Sequence, residues 1–331
     1  MKIEGKVVIT GASGFIGGRL RERLLADGAD VISVRRKGSP PSKTGRSVEL
    51  DYEDLPGLER FFEDERPRYV LHVAGATKGV TYDDFHRANV MPTENLIKAV
   101  AARHPSVERF TLVSSFAAYG PSPVGKPLDE TATPNPVEFY GKSKLAAEQA
   151  LQQHGAGVKW TILRPGGVYG PGDVDYFNLF REVSNGRNVF FGNRDKWQSV
   201  IFVDDLIDAI LLATHKPEAI GKGYLISDDN HLTWGQFQGQ MVELSGRKAM
   251  TLNLPAFLVD IAAFFGELLS RIDGKPRLFN RQKAIMGAQD AWLCTAAAAK
   301  RDLGFTPKVH VRDGIERSFK WYRENGWLRK L

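Results

Sequence analysis

The chain has 331 residues, enough for one large domain or for two lobes that share a cleft. Its net charge is +6, from 45 basic and 39 acidic residues, and the basic residues are spread along the chain, which argues against nucleic-acid binding. The one cysteine, Cys294, excludes an internal disulfide and fits a reducing compartment. Charged Lys2, Glu4 and Lys6 precede the first apolar run, and the most apolar segment, 254–272, contains two acidic residues. We therefore expect a cytoplasmic protein without a cleaved signal peptide or a membrane-spanning helix.

The first candidate site is a glycine-rich turn close to the N-terminus. Residues 7–10 predict a strand, three glycines follow in a Gly-x-x-Gly-x-x-Gly spacing, and a helical pattern begins at once. Such a turn lets backbone approach a pyrophosphate, toward which the helix N–H groups and dipole point. A purely structural turn also favours glycine, so the spacing predicts nucleotide binding only together with its place between strand and helix. The predicted cofactor-binding residues of the turn are Gly11, Ser13, Gly14, Phe15, Ile16 and Gly17.

The second predicted strand, 31–34, ends in two arginines. A dinucleotide fold usually places Asp or Glu here, where the carboxylate accepts hydrogen bonds from the ribose of NAD. Arg35 and Arg36 reverse that charge and could bind the 2′-phosphate of NADP. The alternative is a pair of exposed charges at the start of a loop. We expect a preference for NADP(H), with NAD(H) possible.

Strand and helix patterns go on alternating through the first half of the chain. Segments 48–51, 69–73 and 110–113 predict strands, and helical spacing separates them. Repeated βα units predict an α/β fold in which a doubly wound parallel sheet carries helices on both faces and ligands lie at the carboxyl ends of its strands. The small residues after Val73 and the hydroxyl of Ser115 both follow such ends.

A candidate catalytic set follows from the next helix. Tyr140 and Lys144 lie one turn apart on one helix face. A tyrosine that exchanges a proton near neutral pH needs a pKa about three units below 10, and one cation at about 4 Å supplies interaction energy of that order. We therefore predict that Lys144 lowers the pKa of Tyr140. The hydroxyl of Ser115 could hold the substrate oxygen beside that tyrosine.

Together these motifs make the chain resemble the extended short-chain dehydrogenases/reductases over nearly its whole length. It is closest in pattern to the branch of 3β-hydroxysteroid dehydrogenases and dihydroflavonol reductases. The motifs are Thr10-Gly-x-x-Gly-x-x-Gly17, Asp51, His72-Val-Ala-Gly75, Asn89-Val90, Ser114-Ser115-x-x-x-Tyr119-Gly120, Tyr140-x-x-x-Lys144, Arg164-Pro165-Gly-Gly-Val-Tyr169-Gly-Pro and Phe202-Val203-Asp204-Asp205. The resemblance implies Ser115, Tyr140 and Lys144 as catalytic residues, with Tyr140 and Lys144 also touching the cofactor. Further cofactor contacts that it implies are Asp51, Tyr52, Val73, Ala74, Gly75, Asn89, Val113, Pro165, Gly167 and Val168.

The alternation of strands and helices breaks from Val168 onward. We predict a Rossmann-type dinucleotide domain from residues 1–167 and about 197–227. A smaller, mostly helical substrate lobe would comprise about 168–196 and 228–331. The predicted substrate-binding residues are Thr77, Phe116, Tyr169, Phe177, Asn178 and Trp197.

We predict an enzyme that interconverts a secondary alcohol and a ketone on an apolar or ring-bearing small molecule. Phe116-Ala117 replaces the acidic pair with which related dehydratases carry out elimination, and Gln198-Ser199 stands where related epimerases hold a diphosphate-binding arginine. A nucleotide-sugar epimerase with tightly held NAD(P) remains the alternative, since Arg194 could substitute. A non-catalytic dinucleotide sensor is less favoured because Tyr140 and Lys144 are both present.

Two further expectations concern surfaces. Residues 254–272 carry an apolar stripe at helical spacing, for which we favour packing on the substrate lobe over exposure to substrate or membrane. The resemblance implies a possible homodimer through the helices that contain 95–101 and 140–151. No metal site is expected.

Overall fold

The computed structural model describes residues 2–39, 41, 44–255, 257–273, 277 and 280–329. Its strands, in chain order, are β1 (Lys6–Thr10), β2 (Asp30–Arg35), β3 (Arg46–Glu49), β4 (Tyr69–His72), β5 (Arg109–Val113), β6 (Trp160–Pro165), β7 (Gly167–Tyr169), β8 (Arg187–Phe191), β9 (Trp197–Gln198), β10 (Val200–Phe202), β11 (Lys222–Ile226), β12 (Leu232–Thr233), β13 (Met250–Leu254) and β14 (Ala291–Trp292). Its α-helices are α1 (Phe15–Ala26), α2 (Leu55–Glu65), α3 (Tyr82–Phe85), α4 (Met91–Arg103), α5 (Phe139–His154), α6 (Phe177–Ser184), α7 (Val203–His215), α8 (Trp234–Ser245), α9 (Phe257–Asp273), α10 (Arg281–Ala288), α11 (Ala297–Leu303) and α12 (Val311–Glu324).

Seven parallel strands form the central sheet in the order β11-β6-β5-β4-β1-β2-β3. Val7, Val8 and Ile9 of the central strand β1 are fully buried, as expected for a strand covered on both faces. The chain leaves β1 toward β2 on one side and returns to β4 on the other. This is the topological switch point at which α/β sheets bind ligands. The predicted fold class, a Rossmann-type doubly wound sheet, is confirmed.

Helices cover both faces of the sheet. One core joins the sheet to α1 and α7, with Leu24 and Leu206 among its fully buried side chains. The other core joins it to α2, α4 and α5, where Leu58, Leu96 and Leu151 are buried. Both layers place helix N-termini and strand carboxyl ends along one edge, which is where the candidate site lies.

A third, largely aromatic core lies in the predicted substrate lobe. Helices α6, α8 and α12 pack around fully buried Phe180, Phe237 and Phe319. Short strand pairs, β7 with β10 and β8 with β13, connect this lobe to the sheet region. Between β10 and β12 the chain returns to the central sheet, where α7 packs on one face and β11 forms an edge strand. The predicted domain boundaries stay predictions.

Helix α9 corrects one expectation. The residues of its apolar stripe were expected to pack on the substrate lobe, but Ile261, Phe265 and Leu268 are about half exposed and Ile272 is 75% exposed. Its buried side chains include those of Ala263 and Ser270. The helix thus turns small residues toward the protein and large apolar ones away from it. Across the described residues, no helix combines the length and apolarity needed to cross a membrane.

Candidate active site

The glycine turn between β1 and α1 is built around close backbone approaches. Gly11 has a φ of +73°, and a Cβ there would lie 2.7 Å from the backbone nitrogen of Ala74. A Cβ on Gly17 would lie 2.1 Å from the carbonyl oxygen of Gly11. Helix α1 begins after Gly14 without a side-chain cap and without an acidic residue in its first turn. The turn therefore fits a pyrophosphate, since the helix N-terminus favours negative charge and no side chain fills the space.

A buried polar chain holds the neighbouring strand ends in place. His72, at the end of β4, lies 2.7 Å from the hydroxyl of Thr10 through Nδ1 and 3.0 Å from that of Thr93 through Nε2. The Thr10 hydroxyl also accepts from the backbone of Ala74 at 3.1 Å. Burial, with the nearby cation of Lys144, lowers the pKa of His72 to about 3. The ring is therefore neutral and links β1, β4 and α4 as a hydrogen-bonding group.

Arg35 and Arg36 differ in their surroundings. Arg35 bonds to Glu49, its neighbour on β3, and donates to the carbonyl oxygen of Ser39 at 2.7 Å. Arg36 is exposed and close enough to Tyr52 to affect the pKa of that phenol, which burial raises. Of the two, Arg36 is thus the guanidinium with freedom to meet an anion. Asp51 is exposed and accepts from the backbone of Glu53 at 2.9 Å.

Asn89 fastens the loop after β4 to helix α5. It lies in a π-helical turn, His86–Val90, that joins α3 to α4. Its amide oxygen accepts from the backbone of Ala76 at 2.7 Å, while its amide nitrogen donates to Ala76 at 3.1 Å and to the hydroxyl of Ser143 at 2.9 Å. Ser143 in turn donates to the backbone carbonyl of Tyr140 at 2.7 Å. The predicted cofactor contacts Val73, Ala74 and Gly75 precede this anchor directly.

Ser115 and Tyr140 lie close together. Ser115 begins a short 3₁₀ turn after β5 and accepts from the backbone of Ala117 at 3.1 Å. Its hydroxyl is near enough to the phenol of Tyr140 on α5 to lower the pKa of that phenol. A Cβ on Gly141 would lie 2.3 Å from the carbonyl oxygen of Ala117, so glycine there permits the helix to approach this turn closely.

The predicted lowering of the Tyr140 pKa by Lys144 is not found. Burial raises the pKa of Tyr140 to about 12, the nearby hydroxyl of Ser115 opposes this, and the carboxylates of Glu138 and Asp175 add to it. Lys144 is buried and donates to the carbonyl oxygen of Val113 at 2.8 Å. Burial lowers the pKa of Lys144 to about 8, against the attraction of Glu148.

Behind Lys144 lies an ion pair. Glu148 and Arg164 are 2% and 6% exposed, and the Arg164 Nη2 lies 2.8 Å from Glu148 Oε2. The Arg164 Nε donates to both carboxylate oxygens, at 3.0 and 3.1 Å, and the hydroxyl of Ser114 donates to the same carboxylate. The guanidinium also lies over the ring of Tyr119, 4.9 Å from its centre.

The N-terminus of α5 is held by polar side chains. Buried Glu138 accepts from the backbone of Tyr140 at 2.6 Å and of Gly141 at 2.7 Å. Gln282 of α10 accepts from the backbone of Phe139 at 2.9 Å. These bonds satisfy donors that a helix start otherwise leaves free and so fix where Tyr140 begins its helix.

The remaining predicted cofactor contacts lie at the end of β6 and in β7. Pro165 ends β6, and Gly167 and Val168 belong to β7. A Cβ on Gly167 would lie 2.3 Å from the hydroxyl of Tyr176, so only glycine leaves room for this phenol.

The predicted substrate-binding residues are largely dispersed. Phe116 is 3% exposed and packs against the ring of Trp292, and Tyr169 is 1% exposed within the aromatic core; that these two contact substrate stays a prediction. Phe177 packs against Tyr322, with ring centres 4.9 Å apart. The others lie in separate places: Thr77 in the exposed loop after β4, Asn178 on α6 and Trp197 in β9.

Several residues near Tyr140 were not predicted. The ring of Phe85 lies 6.3 Å from that of Tyr140, and Lys78 and Asp175 form an ion pair at 2.8 Å. Asp175 is near enough to raise the pKa of Tyr140, as is Glu138. An Asp or Glu one to three residues before a helical pattern is a cap signal that could have revealed Glu138. The contacts across distant segments left no signal in a single sequence.

The glycine turn, the sheet order and the polar groups along the strand ends define a nicotinamide-dinucleotide enzyme of the extended short-chain dehydrogenase/reductase class. The chain belongs to the NAD dependent epimerase/dehydratase family, whose family model matches residues 7–227. The predicted class is confirmed, and so is the prediction that the protein is an enzyme.

Curated relatives include both reductases and a sugar-nucleotide dehydrogenase. A ceramide reductase of Caulobacter vibrioides is 29% identical over 98% of this chain and 97% of its own. A 2-alkyl-3-oxoalkanoate reductase of Stenotrophomonas maltophilia is 28% identical over 94% and 98%. The dTDP-6-deoxy-L-talose 4-dehydrogenase (NAD(P)(+)) of Kitasatospora kifunensis is 37% identical over 63% of this chain and 69% of its own.

Among solved structures, a UDP-glucose 4-epimerase of Thermotoga maritima has the same fold. It superposes with a TM-score of 0.79 at 24% identity and covers 97% of this chain and 99% of its own. At this identity the likeness concerns the fold.

Proposed function

We propose that this protein is an NADP(H)-dependent oxidoreductase that interconverts a secondary alcohol and a ketone on an apolar or ring-bearing substrate. The observation that carries the proposal is the close approach of α5 to the turn that holds Ser115, which brings the Tyr140 phenol near the Ser115 hydroxyl with buried Lys144 one turn further along the helix. These three groups lie at the carboxyl end of the sheet, where the glycine turn opens. A proton donor, an oxygen-binding hydroxyl and a cation are thus gathered beside a dinucleotide site.

In the direction of reduction, the phenol of Tyr140 gives its proton to the substrate oxygen, and the hydroxyl of Ser115 holds that oxygen. The bound dinucleotide would supply the hydride. A phenol with a pKa of about 12 is a weak acid at neutral pH, so a positive charge must stabilise the phenolate that forms when the proton leaves. Lys144, with a pKa of about 8, is largely protonated at neutral pH and lies one turn further along α5, from where its ammonium group would stabilise the phenolate.

The preference for NADP(H) rests on Arg36. Its exposure and its place beside Tyr52 leave it available for a phosphate at the end of β2. Arg35, by contrast, is already neutralised by Glu49. A guanidinium can bind a phosphate through two parallel hydrogen bonds, which a ribose hydroxyl cannot match.

The choice of an apolar substrate has two supports. Aromatic rings border Tyr140, since Phe85 packs against it and Tyr82 lies 6.0 Å from Phe139, the residue before it. The two reductases named above match this chain over nearly all of its length, substrate lobe included. Both support a ketone on an aliphatic molecule as the substrate class.

A nucleotide-sugar epimerase or dehydrogenase is the second candidate. The higher identity of the talose dehydrogenase over its matched region favours it. Against it, the position at which epimerases carry a diphosphate-binding arginine holds Gln198 and Ser199, both buried in this structure. Neither can give a substrate diphosphate the charge-assisted contact that an arginine would.

The deciding experiment follows NADPH absorbance with three probes: a long-chain aliphatic ketone, a cyclic ketone and UDP-glucose. We expect NADPH consumption with a ketone. Conversion of UDP-glucose to its epimer without net NADPH consumption would overturn the proposal in favour of the epimerase. The Tyr140→Phe variant should bind NADPH and lose turnover by at least about 100-fold. Tyr82→Phe, which removes a nearby phenol hydroxyl outside the proposed set, is the matched control and should retain activity.

A homodimer through α4 and α5, and the predicted division into two domains, are part of this proposal. The carboxylate of Glu94 bonds Lys98 on α4 and lies 3.6 Å from His154 on α5, so the two helices present one joined surface. Light scattering of the purified protein would reveal a dimeric or monomeric mass.

A further inference from the structure

Helix α9 presents its apolar side outward. At 100° per residue, its large apolar side chains fall within an arc of about 140°. All of them are more than a third exposed: Phe257, Leu258, Ile261, Phe264, Phe265, Leu268, Leu269 and Ile272. The opposite side carries the small residues Ala263 and Ser270, which are buried.

This arrangement reverses the usual amphipathic helix. A helix that packs on a core turns its large apolar residues inward, whereas the buried residues of α9 in the described part of the chain are an alanine and a serine. Contiguous apolar surface of this kind marks an interaction site. Phe264, at 65% exposure, lies near the middle of the helix along its length.

The sequence around α9 is basic. Residues 257–283 contain five basic and three acidic residues, a net charge of +2. The basic residues of this segment are Arg271, Lys275, Arg277, Arg281 and Lys283. The acidic ones are Asp260, Glu267 and Asp273, of which Asp273 pairs with Arg277. An anionic partner complements this segment, while a second copy would oppose like charge with like charge.

Helix α9 also stands next to the candidate site. It packs against α10, and Gln282 of α10 accepts the hydrogen bond from Phe139 that helps to fix the start of α5. Tyr140 is the next residue. A surface that holds α9 therefore lies close to the start of α5, where Tyr140 is located.

We propose that α9 lies in the interface of an anionic lipid bilayer. At 1.5 Å per residue its 17 residues are about 25 Å long, shorter than the hydrocarbon core of a membrane, so the helix would lie in the plane of the interface. Its apolar arc enters the acyl region, and Arg281 and Lys283 of α10, both exposed, meet lipid phosphates. The surface stands independently of the proposed reaction, because neither substrate nor cofactor enters the argument.

Co-sedimentation of the full chain with lipid vesicles tests this. Wild-type protein should bind vesicles of phosphatidylcholine and phosphatidylglycerol, bind pure phosphatidylcholine weakly, and be released by salt. Phe264→Glu with Leu268→Glu should weaken binding at least about tenfold, since charges would enter the acyl region. Val124→Glu with Ile220→Glu, two exposed apolar residues away from α9, is the matched control and should bind as wild type.

A second variant separates the charge contribution. Arg281→Gln with Lys283→Gln should weaken binding to the anionic vesicles about tenfold and leave binding to pure phosphatidylcholine unchanged. An unchanged far-ultraviolet circular dichroism spectrum and melting temperature in every variant show that the fold is intact. The proposal is overturned if wild-type protein fails to bind anionic vesicles or if the α9 variant binds as tightly as wild type. It is equally overturned if the α9 substitutions turn a dimer into a monomer in light scattering without affecting vesicles.

Discussion

Both carboxylate oxygens of buried Glu148 accept hydrogen bonds from Arg164. Glu148 lies one turn beyond Lys144 on α5. Removing one member of such a pair leaves an uncompensated charge. We expect Arg164→Met to lower the free energy of unfolding by about 3–5 kcal/mol in urea denaturation. Glu94→Gln, which breaks an ion pair on the surface of α4, should cost below about 1 kcal/mol.

The same carboxylate acts on Lys144, since Glu148 raises the pKa of that lysine against the effect of burial. Glu148→Gln should lower the pKa of Lys144 below about 8. If turnover needs the protonated lysine, the alkaline limb of the pH–rate profile moves to lower pH. An unchanged limb would mean that Lys144 does not act as a cation in the reaction. Glu94→Gln again serves as the control with an unshifted profile.

The two arginines at the end of β2 should differ in how much they contribute to cofactor binding. Arg36→Ala should weaken NADPH binding by about 10- to 100-fold while changing NADH binding little, because a charge-assisted contact contributes about 1.5–3 kcal/mol. Arg35→Ala should have a smaller effect, since Glu49 already occupies that side chain. Titration of protein fluorescence with both dinucleotides measures this. Equal losses for NADPH and NADH would refute the assignment.

Two adjacent glycines on α1 offer a clean comparison. Alanine at Gly17 would press its Cβ against the carbonyl oxygen of Gly11, whereas alanine at Gly18 would sit 3.5 Å from the carbonyl oxygen of Ala12. We expect Gly17→Ala to lower the melting temperature and abolish dinucleotide binding. Gly18→Ala should be neutral or stabilise the helix by up to about 1 kcal/mol. Thermal unfolding with and without NADPH distinguishes the two.

Because His72 is buried in its neutral form, the free energy of unfolding should depend on pH in the acidic range. Its pKa is lowered from 6.5 to about 3 in the folded state, so the unfolded chain takes up the proton first on acidification. The free energy of unfolding should therefore fall as the pH drops from 6.5 toward 3. Urea denaturation across this range measures the slope. His72→Gln should be less stable at neutral pH and show a shallower slope, and a slope equal to wild type would contradict the prediction.

The sheet and the ligand-binding edge could be predicted because their signals are local. The apolar run ending at Thr10 and the glycines after it encode a buried strand and a tight turn within a dozen residues. The pairing of Ser115 with Tyr140 could be predicted as well, because strand ends and helix starts meet at one edge of a parallel sheet.

The sequence was less informative about which way side chains face and which of them are buried. Helical spacing identified the apolar stripe of α9 but could not say which way it faces, because periodicity is the same for an inward and an outward side. Phe116 follows a catalytic candidate in sequence, yet its ring turns into the core against Trp292. Arg35 looked equivalent to Arg36 until the register of β2 with β3 placed Glu49 beside it.

Because of the π-helical turn His86–Val90, one helical segment contacts two separate parts of the site. Phe85 before it packs against Tyr140, and Asn89 within it bonds Ala76 and Ser143. Deleting one residue from the turn would rotate everything before it by about 100° relative to everything after it. A regular α-helix could then present either the aromatic ring or the amide to the site, but not both. The extra residue in the turn thus lets Phe85 and Asn89 both face the site. A one-residue deletion here should damage the site more than a substitution of Phe85 or of Asn89.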